Sequence, residues 1–114
     1  MIKLLVAGPR NYNNFEIVLR EIRKIKPDII ITSKKCGGVD NIGRFYSYRY
    51  KSGLNTFKAN WDKFGNSAGY LRNEKMVLEC TESLIFWDNI STGTKLTIDL
   101  LKQYNKPYKL IEIN

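Results

Sequence analysis

Three short stretches of this sequence carry residue types suited to holding an anion. Gly8-Pro9-Arg10 joins a glycine, which permits close backbone approach, to a guanidinium able to grip a phosphate or carboxylate through paired donors. Ser33-Lys34-Lys35-Cys36-Gly37-Gly38-Val39-Asp40 sets two glycines ahead of a helical stripe. Successive N–H groups and a helix N-terminus can then face an anion, with Lys34 and Lys35 adding charge. Asp40 would bind a ribose hydroxyl or cap the helix, and capping is the commoner role for an aspartate there. Ser91-Thr92-Gly93-Thr94 repeats the logic with hydroxyls, a glycine and a helix start. Each stretch also has a bland explanation, a turn with a solvated arginine or an ordinary helix cap. Neither a Walker motif nor G-x-G-x-x-G occurs.

A fourth stretch, Asn60 to Ser67, has no periodicity and reads as a loop flanked by Trp61, Phe64 and Tyr70. A ring such as Trp61 can stack on a base, although core packing is the usual fate of any one aromatic. Arg72 and Asn73 follow early in the next helix, where they can reach the same pocket. Other chemistry is limited. The chain has no histidine and two cysteines, which makes a zinc site improbable and removes the commonest general base. Asp40, Asp62 and Asp88 are the carboxylates near these stretches, and no resident cofactor or metal is implied.

The elements that must position these residues alternate strand and helix. Ile2–Ala7 is apolar but for Lys3, as a central strand should be. Phe15, Val18, Leu19, Ile22 and Ile25 make a helical stripe, with Asn13 or Asn14 as cap and Pro27 as stop. Further strands are predicted at 28–33, at 54–59 (weaker), at 83–87 and at 108–113. Helices are predicted at Val39–Tyr50, closed by Gly53, at about 68–81, and around Leu96–Tyr104 before Pro107. Strands separated by helices imply a parallel sheet with right-handed crossovers, here a three-layer α/β sandwich of about five strands. Ligands of such sheets bind beyond the strand carboxyl ends, where strand order reverses. All four stretches should therefore open on one edge.

At 114 residues the chain is expected to form one domain, residues 1–114. Hydrophobic residues at 43% and charged residues at 26% exclude general disorder. The apolar runs are too short to span a bilayer, and MIKLLVAGPR reads as a strand and not as a signal peptide, which leads to an expectation of the cytoplasm. Cys36 and Cys80 fit a reducing compartment. The net charge of +8 is compatible with nucleic acid, with a phosphorylated ligand, or with a plain solvated surface.

Read in order, the loops resemble the YspA-like, YpsA-related branch of the SLOG superfamily. The resemblance rests on Gly8-Pro9-Arg10, Ser33 to Asp40, Ala59-Asn60-Trp61 with Gly65, Ala68-Gly69, Arg72-Asn73, Met76, Phe86-Trp87-Asp88 and Ser91-Thr92-Gly93-Thr94. It covers nearly the whole chain. It implies a Rossmann-like domain that binds nucleotides or nucleotide-derived ligands as sensor or processor, often near phage or conflict systems, and often as a homodimer. Three positions depart from the family pattern: Pro9 replaces a serine, Lys34 and Lys35 replace a glycine pair, and Thr97 stands where enzymatic relatives place a glutamate. A threonine supplies no carboxylate for glycosidic-bond chemistry, which demotes catalysis.

The resulting expectation is a binder of a nucleotide-derived small molecule, acting as a sensor or sequestering protein. Arg10, with Gly8, and Ser91, Gly93 and Thr94 would hold phosphate. Ser33 and Gly38 would line the second loop, and Asp40 and Asp88 would bind ribose or base. Trp61 would stack, with Arg72 and Asn73 at the rim. The alternatives are a hydrolase of an N-glycosidic or phosphate bond using Asp40 or Asp88, and a binder of single-stranded nucleic acid.

Overall fold

In the computed structural model, which describes residues 1–34 and 37–113, the apolar runs become one sheet and the periodic stripes become its covering helices. The strands are β1 (Lys3–Ala7), β2 (Ile29–Ser33), β3 (Gly53–Phe57), β4 (Glu82–Trp87) and β5 (Tyr108–Glu112). Between them run α1 (Phe15–Ile25), α2 (Val39–Tyr50), a short α3 (Trp61–Phe64), α4 (Ala68–Glu79) and α5 (Thr92–Gln103). The sheet has the order β3-β2-β1-β4-β5 with every neighbouring pair parallel. Leu4 lies opposite Ile30 on one side and Glu82 on the other.

Alternation of side chains along each strand divides the core in two. Leu4, Val6, Ile30, Leu84 and Phe86 pack against Val18 and Ile22 of α1 and Val39, Ile42 and Tyr46 of α2. Leu5, Ile31 and Ile85 face the other way, onto Met76 and Val77 of α4 and Ile98, Leu100 and Leu101 of α5. The architecture is thus the three-layer, Rossmann-like α/β sandwich that the strand and helix pattern predicts. β3, predicted to be weaker, is an edge strand with most of its residues exposed.

Three local expectations change. Asn60–Ser67 is not a loop: Asn60 caps α3 by accepting from the Lys63 amide at 3.1 Å, and Gly65–Ser67 continues as a 3-10 turn. The carboxyl-terminal cap of α2 is Lys51 in the left-handed region at φ 61°, and Gly53 instead opens β3. β3 stops at Phe57, short of Ala59. Asn14 caps α1 as expected, its Oδ1 accepting from the Ile17 amide at 3.2 Å. Among the described residues no helix is long and apolar enough to cross a membrane.

Candidate ligand-binding site

Strand order reverses between β1 and β4: the chain leaves β1 toward β2 and β3, and later returns to place β4 and β5 on the other side. A cavity of about 340 Å³ opens at the carboxyl ends of these two strands, the position at which open parallel sheets bind ligands. Its walls come from four segments: Gly8 and Arg10 after β1, Ser33 and Asp40 flanking the second loop, Arg72 and Asn73 on α4, and Ser91, Gly93 and Thr94 at the start of α5. These predicted residues, distant along the chain, share one hollow. Lys34 is exposed, and Lys35 and Cys36 lie outside the described residues.

The first two loops are locked together by close packing. A Cβ on Gly8 would stand 2.7 Å from Val39 Cγ2, and one on Gly38 would stand 2.6 Å from the carbonyl oxygens of both Arg10 and Tyr12. Gly38 also has φ +60°, where side chains are strained. This glycine therefore lets the second loop press against the first; it does not line the cavity. Gly38, not Asp40, occupies the cap position of α2, and Asp40 lies buried in its first turn at the cavity wall. An acidic group there suits the positive end of the helix dipole.

The α5 wall is built differently. Ser91 holds the cap position, yet its side chain makes no cap hydrogen bond and instead donates to Asp88 Oδ2 at 2.8 Å. Asp88 Oδ1 accepts from the Ser91 and Ile90 amides at 2.7 and 2.9 Å, and the Trp87 indole donates to the Ser91 carbonyl at 3.2 Å. These bonds, the Ser91 amide foremost, hold the Asp88 carboxyl below its usual pKa. Asp88 therefore shapes the loop, and it lies outside the cavity lining. Among the described residues no side chain caps the first turn of α5, so Thr92, Gly93 and Thr94 bring an uncapped helix N-terminus to the cavity. A Cβ on Gly93 would meet nothing within 4 Å, so no packing demands glycine at that point.

The floor is a polar relay between α4 and α5. Arg72 Nε donates to Asn73 Oδ1 at 3.2 Å, and Asn73 Nδ2 donates to Thr97 Oγ1 at 3.4 Å. Thr97 Oγ1 in turn donates to the Gly93 carbonyl at 3.2 Å. Asn73, Thr94 and Thr97 are all buried. Ser33 Oγ donates to Met76 Sδ at 3.7 Å beside them. Arg10 stands exposed at the rim and makes no ion pair among the described residues.

Trp61 does not line the cavity. It is 58% exposed on α3, close to Gly69, and no aromatic side chain is among the described residues lining the cavity. Thr92, Met76 and Thr97 also line it: Thr92 within the predicted Ser91–Thr94 loop, and Met76 and Thr97 as positions that the family resemblance singles out without giving them a ligand contact. Thr97 stands three residues after Thr94 and so shares its helix face.

No protein-family model matches the sequence. No curated protein matches it either. Among solved structures, the chain is similar to the X-ray structure of DNA processing protein A (DprA) from Streptococcus pneumoniae, with a TM-score of 0.83 and 12% sequence identity. The match covers all of this chain and 51% of that protein, so the chain spans about half of its length. At this identity the likeness is one of fold.

Proposed function

We propose that the cavity between the β1 and β4 loops binds a nucleotide or nucleotide-derived small molecule, and that the chain is a SLOG-type sensor or sequestering protein. One observation carries this reading: the uncapped first turn of α5 meets Arg10 and Arg72 around a single hollow at the strand-order reversal. An uncapped helix start and two guanidiniums favour phosphate. Asp40, Asn73 and Ser33 offer acceptors and donors for a sugar or base. The fold shared with a DNA-processing protein is in keeping with the SLOG motifs of the sequence.

Binding is favoured over turnover because the position of the enzymatic glutamate holds Thr97, whose hydroxyl donates to the Gly93 carbonyl. Hydrolysis remains the second reading for one reason, the Asp40 carboxylate at the cavity wall. Turnover that vanishes in Asp40→Asn would establish it. Ligand recovered intact after incubation with excess protein would dismiss it.

The decisive experiment is a thermal-shift screen with nucleoside mono-, di- and triphosphates, dinucleotides and ADP-ribose derivatives. A ligand present at 100 times its Kd stabilises the native state by about 2.7 kcal/mol, a shift of roughly 10 °C for a chain of this size. Arg10→Ala, at the exposed rim, should fold normally and lose most of that shift. No shift with any member of the screen, or an undiminished one in Arg10→Ala, would refute the proposed site.

A further inference from the structure

The positive charge of the chain is unevenly spread. Residues 15 to 51 carry nine lysines and arginines against four acidic residues, while the remainder carries ten against seven. Most of this segment forms the α1–α2 layer, on the face of the sheet opposite α4 and α5. Of its two buried acids, Asp40 lies at the cavity wall, and Glu21 is matched by Lys24 at 2.9 Å, Lys109 at 2.7 Å and Arg20 at 3.6 Å.

Three further cations of the layer rest on rings. Arg23 and Arg49 each lie 5.4 Å from the centroid of Tyr50, and Lys51 lies 5.7 Å from that of Tyr48. Among the described residues Arg23, Lys26, Arg49 and Lys51 make no ion pair. Tyr48 is 80% exposed, and the half-exposed rings of Phe15 and Phe45 meet edge to face, their centroids 4.8 Å apart. A hollow of about 460 Å³ lies along α1, with Phe15 and Leu19 set among Arg20, Arg23, Lys24, Lys26 and a single acid, Glu16, and it shares no lining residue with the cavity above β1.

From this placement we infer that the outer face of α1 and α2 binds single-stranded nucleic acid, at a site separate from the cavity. Unpaired cations interleaved with solvent-facing rings match a strand whose phosphates need neutralising and whose unpaired bases can stack. A duplex presents its phosphates but hides its base faces. An acidic peptide would engage the cations and leave the rings in water. A bilayer surface would need a continuous apolar helix face, whereas the apolar stripe of α1, Val18 and Ile22, is buried against the sheet.

The test is fluorescence anisotropy of a labelled oligothymidylate, roughly 16 nucleotides long, titrated with the intact chain across a range of salt. The wild-type protein should bind with affinity that falls steeply as salt rises. The double variant Arg23→Gln, Arg49→Gln should bind about tenfold more weakly or worse at low salt, with a salt slope shallower by about 1.4, or 0.7 for each phosphate left without its arginine. Tyr48→Ala should weaken binding roughly fivefold or more and leave the slope unchanged, as loss of stacking requires. Tyr48 is solvent-facing, so this variant keeps the test intact should the double variant fold poorly. Lys95→Gln, on α5, and Arg10→Ala, in the cavity, should bind as wild type. Undiminished affinity in both Tyr48→Ala and the arginine variant would overturn the inference. So would equal weakening by Lys95→Gln, loss of binding in Arg10→Ala, or tighter capture by phosphatidylserine vesicles or polyglutamate.

Discussion

Gly38 and Gly93 occupy corresponding places, each at the start of a helix on the carboxyl edge of the sheet, and they have opposite reasons for being glycine. A methyl group on Gly38 would strike two carbonyl oxygens at 2.6 Å and must adopt φ +60°. Gly38→Ala should therefore lose roughly 3 kcal/mol of stability, read by urea denaturation. A Cβ on Gly93 meets nothing within 4 Å. Gly93→Val should change stability by less than about 1 kcal/mol, yet abolish the ligand-induced thermal shift by intruding on the α5 wall. A Gly93→Val protein that binds normally would mean that no ligand approaches that backbone.

At the scale of elements, the entry to α5 depends on one carboxylate. Asp88 holds the Ile90 and Ser91 amides and the Ser91 hydroxyl. Asp88→Ala should raise hydrogen exchange of those amides about tenfold or more while the central turns of α5 stay protected, since local opening follows the loss of local bonds. The folded carboxyl titrates below its usual range, so the order it confers is present above that range. It is lost as pH falls through the lowered value. Unchanged exchange in Asp88→Ala would show that the Trp87 indole bond suffices. Sequence reading found the strands and long helices because their apolar residues repeat with the period of the surface they cover. It missed α3 for a physical reason: none of Trp61–Phe64 is buried, so no stripe marks the helix. The same limit applies to the site. Topology alone brings Arg10, Asp40, Arg72 and Thr94 to one edge, and the alternation of elements made that legible. Whether Gly38 or Asp88 touches a ligand or props a loop depends on backbone geometry that residue type does not encode. The outward direction of Trp61 was hidden for the same reason.

For the molecule as a whole, the Glu21 cluster ties the first helix to the last strand across 88 residues of sequence through Lys109. Hydrogen bonds from Lys109 and Lys24 outweigh the effect of burial and lower the Glu21 pKa from 4.5 to about 2. A carboxyl with a depressed folded pKa contributes stability that is complete above the unfolded value and disappears toward the folded one. The chain should thus be insensitive to pH near neutrality and lose stability from about pH 4.5 down to about pH 2. The two lysines are more than half exposed, so screening reduces the contribution to about 1–2 kcal/mol. Urea melts at pH 7 and pH 3 should differ by more than this, because other carboxylates also titrate and the net charge of +8 grows with acid. The distinguishing comparison is Glu21→Gln. It should be less stable than wild type at pH 7, and that deficit should shrink at pH 3 as wild type loses its own ion pairs. A deficit of equal size at both pH values would mean that Glu21 acts through packing and not through its charge.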